Sequence, residues 1–380
     1  MPSRSAAEKL LLELTSLPVA AGREDAVIAR LAEWTAARPR LALRRDACGN
    51  VIIARRDFNK ACAKKKPLFI TAHLDHPAFV VRSVKGAWAE LEFRGGVLDP
   101  YFRGAAIEIF GPSLERSFTA RIRTLDAKAK PFKTVTAALA GRPPAGLLGP
   151  GCIGRWKFPG AALSGGIVRT HACDDLAGAA AALAAFDPVS RDARLANTAL
   201  LFTRAEEIGF VGAIGAARGG TVPRGARLLC LECSRSFPHD SPIGAGPIVR
   251  VGDRMSVFTP ELTNTVSEIA AAYAKKKPAF RYQRKLMAGG VCEASAFSAY
   301  GLSSSCLCLP LGNYHNMRDI AGVLGGRKKG RVGREYVAAA DFHGLVELLG
   351  VIARRLDAPV AARRAAMEKT WARRGRLLTK

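Results

Sequence analysis

Leu201-Phe202-Thr203-Arg204-Ala205-Glu206-Glu207-Ile208-Gly209 joins an apolar run to two adjacent acids. The run 198–203 reads as a buried strand, and Gly209 permits a sharp turn after the acids. Neighbouring carboxylates at the mouth of such a strand repel each other and lose solvation, so cations, partner groups or water must compensate them. A solvated loop would meet that need, and so would a metal. The choice rests on whether other strands end in matching ligand types.

They do. The apolar run 67–72 leads directly into His73-Leu74-Asp75-His76, and 167–173 precedes Asp174 and Asp175. The run 226–232 carries Glu232, and 303–309 passes through Pro310-Leu311-Gly312-Asn313-Tyr314 to His315. Helical patterns stand between these runs at 176–186, 211–217, 260–274 and 338–356, with two more between 6 and 40. Strands alternating with helices predict an α/β fold, a mostly parallel mixed sheet covered by helices on both faces. Ligands of such sheets bind outside the carboxyl ends of the strands.

From 82 to 165 the texture changes to short strands (87–93, 105–109, 118–122 and 134–139) with many Gly and Pro residues and little helix. This predicts a small, barrel-like β domain at 82–165, inserted into a discontinuous catalytic domain of 1–81 and 166–380. The insertion would serve oligomerisation or substrate access.

A chain of 380 residues holds one large or two moderate domains, and its 49% hydrophobic and 24% charged residues are those of a globular protein. The N-terminus lacks the apolar segment of a signal peptide, and no apolar stretch is of spanning length, so the sequence reads as cytoplasmic with no membrane partner. Nine cysteines, several inside apolar runs, read as buried reduced thiols; the Cys230/Cys233 pair has no second pair to complete a zinc site. The charge balance, 58 − 32 = +26, is concentrated at 64–66, 275–277, 327–334 and 351–380. Such a surface attracts polyanions. No aromatic platform or nucleic-acid motif accompanies it.

His73, Asp174, Glu207, Glu232 and His315 are therefore five candidate metal ligands at strand ends. Imidazole and carboxylate donors suit zinc, cobalt or manganese, and one bridging carboxylate with one His and one carboxylate per ion would hold two divalent ions. Glu206, adjacent to a ligand, is left as general base. Asp75, two residues after His73, is placed to fix the imidazole tautomer.

The segments GNVIIA at 49–54, AHLDH at 72–76, ACDDLAG at 172–178, AEEIGFVGA at 205–213, LEC at 231–233 and YHN at 314–316 carry a resemblance. With them the chain resembles the co-catalytic metallo-aminopeptidases of clan MH, most closely the glutamyl-aminopeptidase family whose members form tetrahedral (TET) particles. The insertion between the first His and Asp174 is similar to that family's arrangement. The resemblance implies that His73, Asp174, Glu207, Glu232 and His315 bind two divalent metal ions, Zn2+ with Co2+ or Mn2+ as alternatives, with Asp174 bridging, Glu206 as base and Asp75 as orienter. It further implies attack on a peptide carbonyl by a metal-bridging hydroxide, substrates with a free N-terminus, and a homo-oligomer.

Leu176 stands where relatives usually carry Arg, and in the segment 289–293 the acid is shifted to Glu293. These departures support an alternative reading as a metal-dependent deacylase or amidohydrolase on the same scaffold. The +26 charge supports a third, a polyanion-binding protein with a vestigial metal site.

Overall fold

In the computed structural model, which describes residues 3–358 and 362–378, four apolar runs pair side by side as parallel strands. Their order is Thr198–Thr203, Leu68–His73, Arg227–Arg235 and Ser303–Leu311. Both faces of these strands are covered. Leu200, Phe202, Leu229 and Leu307 pack with helices Arg4–Leu14, Leu176–Val189, Pro260–Lys276 and Ala339–Arg355. Ala199, Leu201, Leu228 and Cys306 pack on the other side with helices Val211–Arg218 and Glu293–Ala299. Burial on two faces is why these strands are continuously apolar rather than alternating.

The margins of the eight-stranded sheet are antiparallel additions that the sequence reading did not anticipate in full. Val51–Arg55 and then Leu41–Arg45 extend one side. Ile248–Gly252 runs antiparallel to Ser303–Leu311 on the other, and Gln283–Leu286 closes that edge. Edge strands such as QRKL keep polar residues towards solvent, so their pattern resembles a loop.

Six strands, Ala78–Lys85, Trp88–Arg94, Ala106–Phe110, Ser117–Asp126, Lys133–Leu139 and Ile153–Trp156, close into a barrel. Its core is aromatic, with Phe79 edge-on to Trp156 at 4.8 Å between ring centroids. The first barrel strand starts at Ala78, ahead of residue 82, and the last ends at Trp156, well before 165. Ile167–Thr170 differs from expectation too. Instead of joining the main sheet it forms a small antiparallel sheet with Ala162–Ser164 and Glu335–Ala338, which carries the chain from the barrel to Asp174.

All nine cysteines are free. Cys230 and Cys233 face opposite sides of the sheet, as a spacing of three along a strand requires, so the CxxC pair is not a site. A further helix, Ala362–Arg374, carries much of the basic C-terminal stretch, of which 359–361 and 379–380 lie outside the described residues. No helix among the described residues is long and apolar enough to cross a membrane.

Candidate metal centre

The loop after Thr203 is held by its own backbone donors. Successive N–H groups of Arg204, Ala205, Glu206 and Glu207 donate to Asn50 Oδ1 (3.1 Å), Glu24 Oε1 (3.0 Å), Asp75 Oδ1 (2.9 Å) and Asp75 Oδ2 (3.0 Å). Three buried side chains thus fix four consecutive peptides, and this aims the two acids. Gly209 takes φ +113°, a turn that residues with a Cβ rarely make. A Cβ on Gly212 would lie 2.4 Å from Arg204 O, so only glycine lets the next helix close against the loop.

His73 and His315 present the same nitrogen to a shared carboxylate. His73 Nδ1 donates to the backbone carbonyl of Asp75 at 3.1 Å, and His315 Nδ1 donates to that of Gly96 at 2.7 Å. Both Nε2 atoms are then free to ligate. Asp174 Oδ1 lies 3.4 Å from His73 Nε2, and its Oδ2 lies 3.6 Å from His315 Nε2. Glu232 Oε1 is 3.9 Å from His73 Nε2, and Glu207 Oε1 is 3.1 Å from His315 Nε2. Ligand atoms of His73, Asp174 and Glu232 lie within 4.8 Å of one another, and so do those of Asp174, Glu207 and His315. The structure therefore brings the five candidate ligands into two triads that share Asp174.

Asp75 is fully buried and sits with its Oδ1 3.5 Å from His73 Nδ1. Its carboxylate is engaged mainly by the two loop N–H groups, and the imidazole proton goes to its carbonyl. Glu206 is buried beside Glu207 and has a ligand atom within 4.8 Å of those of His73 and Glu207.

Buried acids outnumber buried bases here, and the proton affinities follow. Burial pushes the Glu206 carboxyl well above its usual range, with Glu207 and Asp75 adding to the effect against the pull of His73. Burial and then Asp174 push Glu232 up in the same way. Burial alone would raise Asp174, but the imidazoles of His315 and His73 beside it hold it low. Burial would lower the two histidines, yet Glu206 beside His73 and Glu207 beside His315 hold both well above the usual imidazole value. Asp174 Oδ1 and Glu207 Oε1 are buried without a hydrogen-bond partner. Orphaned buried carboxylate oxygens facing imidazole nitrogens fit divalent cations.

Two residues of the site, Glu335 and Glu24, carried no sequence signal. Glu335 is fully buried; its Oε2 accepts N–H from Cys173 (2.7 Å) and Asp174 (3.1 Å), while Oε1 accepts that of His315 (2.8 Å). Glu24 and Asn50 act on the Glu206 loop from distant segments; of the two, only Asn50 lies inside a family-like stretch. His76 Nδ1 donates to Asp174 O (2.7 Å), and its Nε2 lies 3.1 Å from Asn316 Oδ1, behind the ligands. Leu176, the position that departs from the family, is fully buried in the helix–sheet core and does not face the centre. Glu293 is buried at the start of its helix, and burial raises its carboxyl to about 7.

A cavity of about 290 Å³ adjoins Glu232 and is walled by Leu98, Met287, Tyr314, Met317 and Ile320. Leu98 comes from the loop that follows the second barrel strand, so barrel and sheet share this wall. Tyr314 stacks on the His315 ring at 3.8 Å between centroids.

Residues 149–324 match the family model described as M42 glutamyl aminopeptidase, a segment that includes every proposed ligand except His73. No curated protein matches the chain. Among solved structures, the TET aminopeptidase of the marine sediment archaeon Thaumarchaeota archaeon SCGC AB-539-E09 is 17% identical with a TM-score of 0.74, over 93% of this chain and 97% of that one. The Pyrococcus horikoshii TET1 peptidase, which assembles into a tetrahedron or a large octahedral shell, is 18% identical with a TM-score of 0.70, over 92% and 99%. The aminopeptidase APDkam598 from Desulfurococcus kamchatkensis is 18% identical with a TM-score of 0.69, over 94% and 99%. At these identities the structural likeness establishes the fold.

Proposed function

We infer the reaction from the family to which the chain belongs, the M42 glutamyl aminopeptidases, which makes it a metallopeptidase. We propose that it removes N-terminal residues from peptides with a free amino end, using two divalent ions of the zinc, cobalt or manganese type. The observation that carries the dinuclear reading is the division of Asp174, one carboxylate oxygen towards His73 and the other towards His315. His73 and Glu232 would hold one ion, His315 and Glu207 the other, and Asp174 both.

When bound, such ions polarise the scissile carbonyl and lower the pKa of water. The chain supplies the rest. Glu206, buried beside Glu207 and next to His73, would act as the carboxylate, accept the proton of the attacking water and return it to the departing amine nitrogen. The carboxylate-rich floor attracts the α-ammonium group of the substrate, which favours cleavage at the N-terminus. The cavity beside Glu232 receives the first side chain. A homo-oligomer, as the P. horikoshii TET1 peptidase forms, is part of the same proposal.

Of the two departures behind the deacylase reading, Leu176 is turned into the core, while Glu293 is buried close enough to act on Glu206; N-acetylated substrates test that reading. The polyanion reading is tested by salt-sensitive DNA or RNA binding, whose absence removes it. The direct test of the mechanism is Glu206→Gln. The expected result is loss of about 10²- to 10⁴-fold in kcat with metal still bound; full activity in that variant sinks the assignment of the base.

A further inference from the structure

We propose that Glu335 is a positioning residue that sets the loop-borne half of the metal centre and so governs occupancy by one of the two ions. The proposal rests on the dinuclear reading given above. Its basis is an asymmetry between the two triads. His73 and Glu232 lie within strands whose neighbours fix them, His73 opposite Thr203 and Glu232 opposite Cys308. Glu207 and His315 belong to loops. The peptide of Glu207 is held by Asp75, and that of His315 by Glu335.

The His315 loop needs such a hold. Asn313, His315 and Asn316 all have left-handed φ, at 53°, 53° and 61°, a conformation disfavoured in residues with a Cβ. Asn316 Nδ2 donates to His171 O at 2.9 Å and Asn313 Nδ2 donates to Arg334 O at 2.8 Å. At His315 itself the backbone donor goes to Glu335 Oε1, and the other oxygen of the same carboxylate takes the donors of Cys173 and Asp174. One rigid carboxylate thus sets the separation between the bridging ligand and the His ligand of the second triad. Glu335 is itself seated in the small sheet, opposite Thr170. In the amide the remaining oxygen serves the two donors of Cys173 and Asp174, and the NH2 sets donor against donor at His315.

The experiment titrates metal-free wild type and Glu335→Gln with Zn2+ against a chromophoric chelator, and with Co2+ followed by its d–d absorption. Wild type should bind two ions. In the variant one site should weaken about 10- to 100-fold while the other changes little, so that the stoichiometry falls from two to one at limiting free metal. Equal weakening of both sites, or unchanged binding with only a lower Tm, would overturn the proposal and leave Glu335 a structural residue. Wild type that binds fewer than two ions would instead overturn the dinuclear reading on which it rests. Should the variant fail to fold, amide hydrogen exchange in the metal-free wild type decides. The His315 and Asp174 amides should be protected together; exchange of His315 at the rate of an open loop overturns the proposal.

Discussion

The carboxylate of Asp75 accepts the backbone N–H of Glu206 at 2.9 Å through one oxygen and that of Glu207 at 3.0 Å through the other. The strand that delivers His73 therefore also delivers the acid that aims the paired glutamates. First ligand, base and second-triad ligand form one mechanical unit.

Asp75→Asn breaks that unit with almost no change in volume. The amide keeps one acceptor and turns a donor towards the other N–H, which leaves a buried donor unpaired. Stability measured by urea unfolding should fall by about 1–3 kcal/mol, and kcat should fall with it because Glu206 loses its aim. Unchanged kcat would show that the loop is fixed by Glu24 and Asn50 alone.

Asp174 is shared and Glu232 is not, so their substitution should differ in count as well as affinity. Metal content after equilibration at limiting free zinc should approach zero in Asp174→Asn and one in Glu232→Gln. Equal stoichiometry in the two variants would contradict the shared-ligand geometry.

Glu293 gives a pH signature in the metal-free protein. Burial raises its carboxyl from 4.5 to about 7, so the folded state holds the proton more tightly than the unfolded chain. Its contribution to stability is then full below pH 4.5 and is lost as pH rises through about 7. The loss is about 3 kcal/mol at 1.36 kcal/mol per unit. In Glu293→Gln this part of the decline should vanish, so the variant should gain on wild type across that window. Parallel stability curves would contradict the assignment.

The strands that carry the ligands were legible because burial on both faces forces continuous apolar runs, and polar residues at their ends stand out against them. His73, Glu207, Glu232 and His315 could be placed at one edge of a sheet for that reason. Glu335 could not, since its role is to accept three backbone donors from remote segments, and a carboxylate engaged with main chain leaves no spacing pattern. Glu24 was hidden in the same way. Strands 41–45 and 283–286 were missed because short marginal strands with polar outer faces resemble turns, and 248–252 because a five-residue run interrupted by the buried Arg250 stands out little. The position of Ile167–Thr170 in a separate sheet depends on pairing with Glu335–Ala338, far along the chain, which local pattern does not encode. The tautomers of His73 and His315 depend on the carbonyls of Asp75 and Gly96, the second of them supplied by the barrel's connecting loop.

The measurement that tests the central claim most directly is hydrolysis of matched fluorogenic substrates, free-amine aminoacyl derivatives beside their N-acetylated counterparts, by protein loaded with zinc, cobalt or manganese. Cleavage confined to the free amines and abolished by chelation is the predicted result. Cleavage of the acetylated set with the free amines inert would contradict the aminopeptidase account and establish the deacylase; inertness of both sets with metal bound would contradict hydrolysis itself.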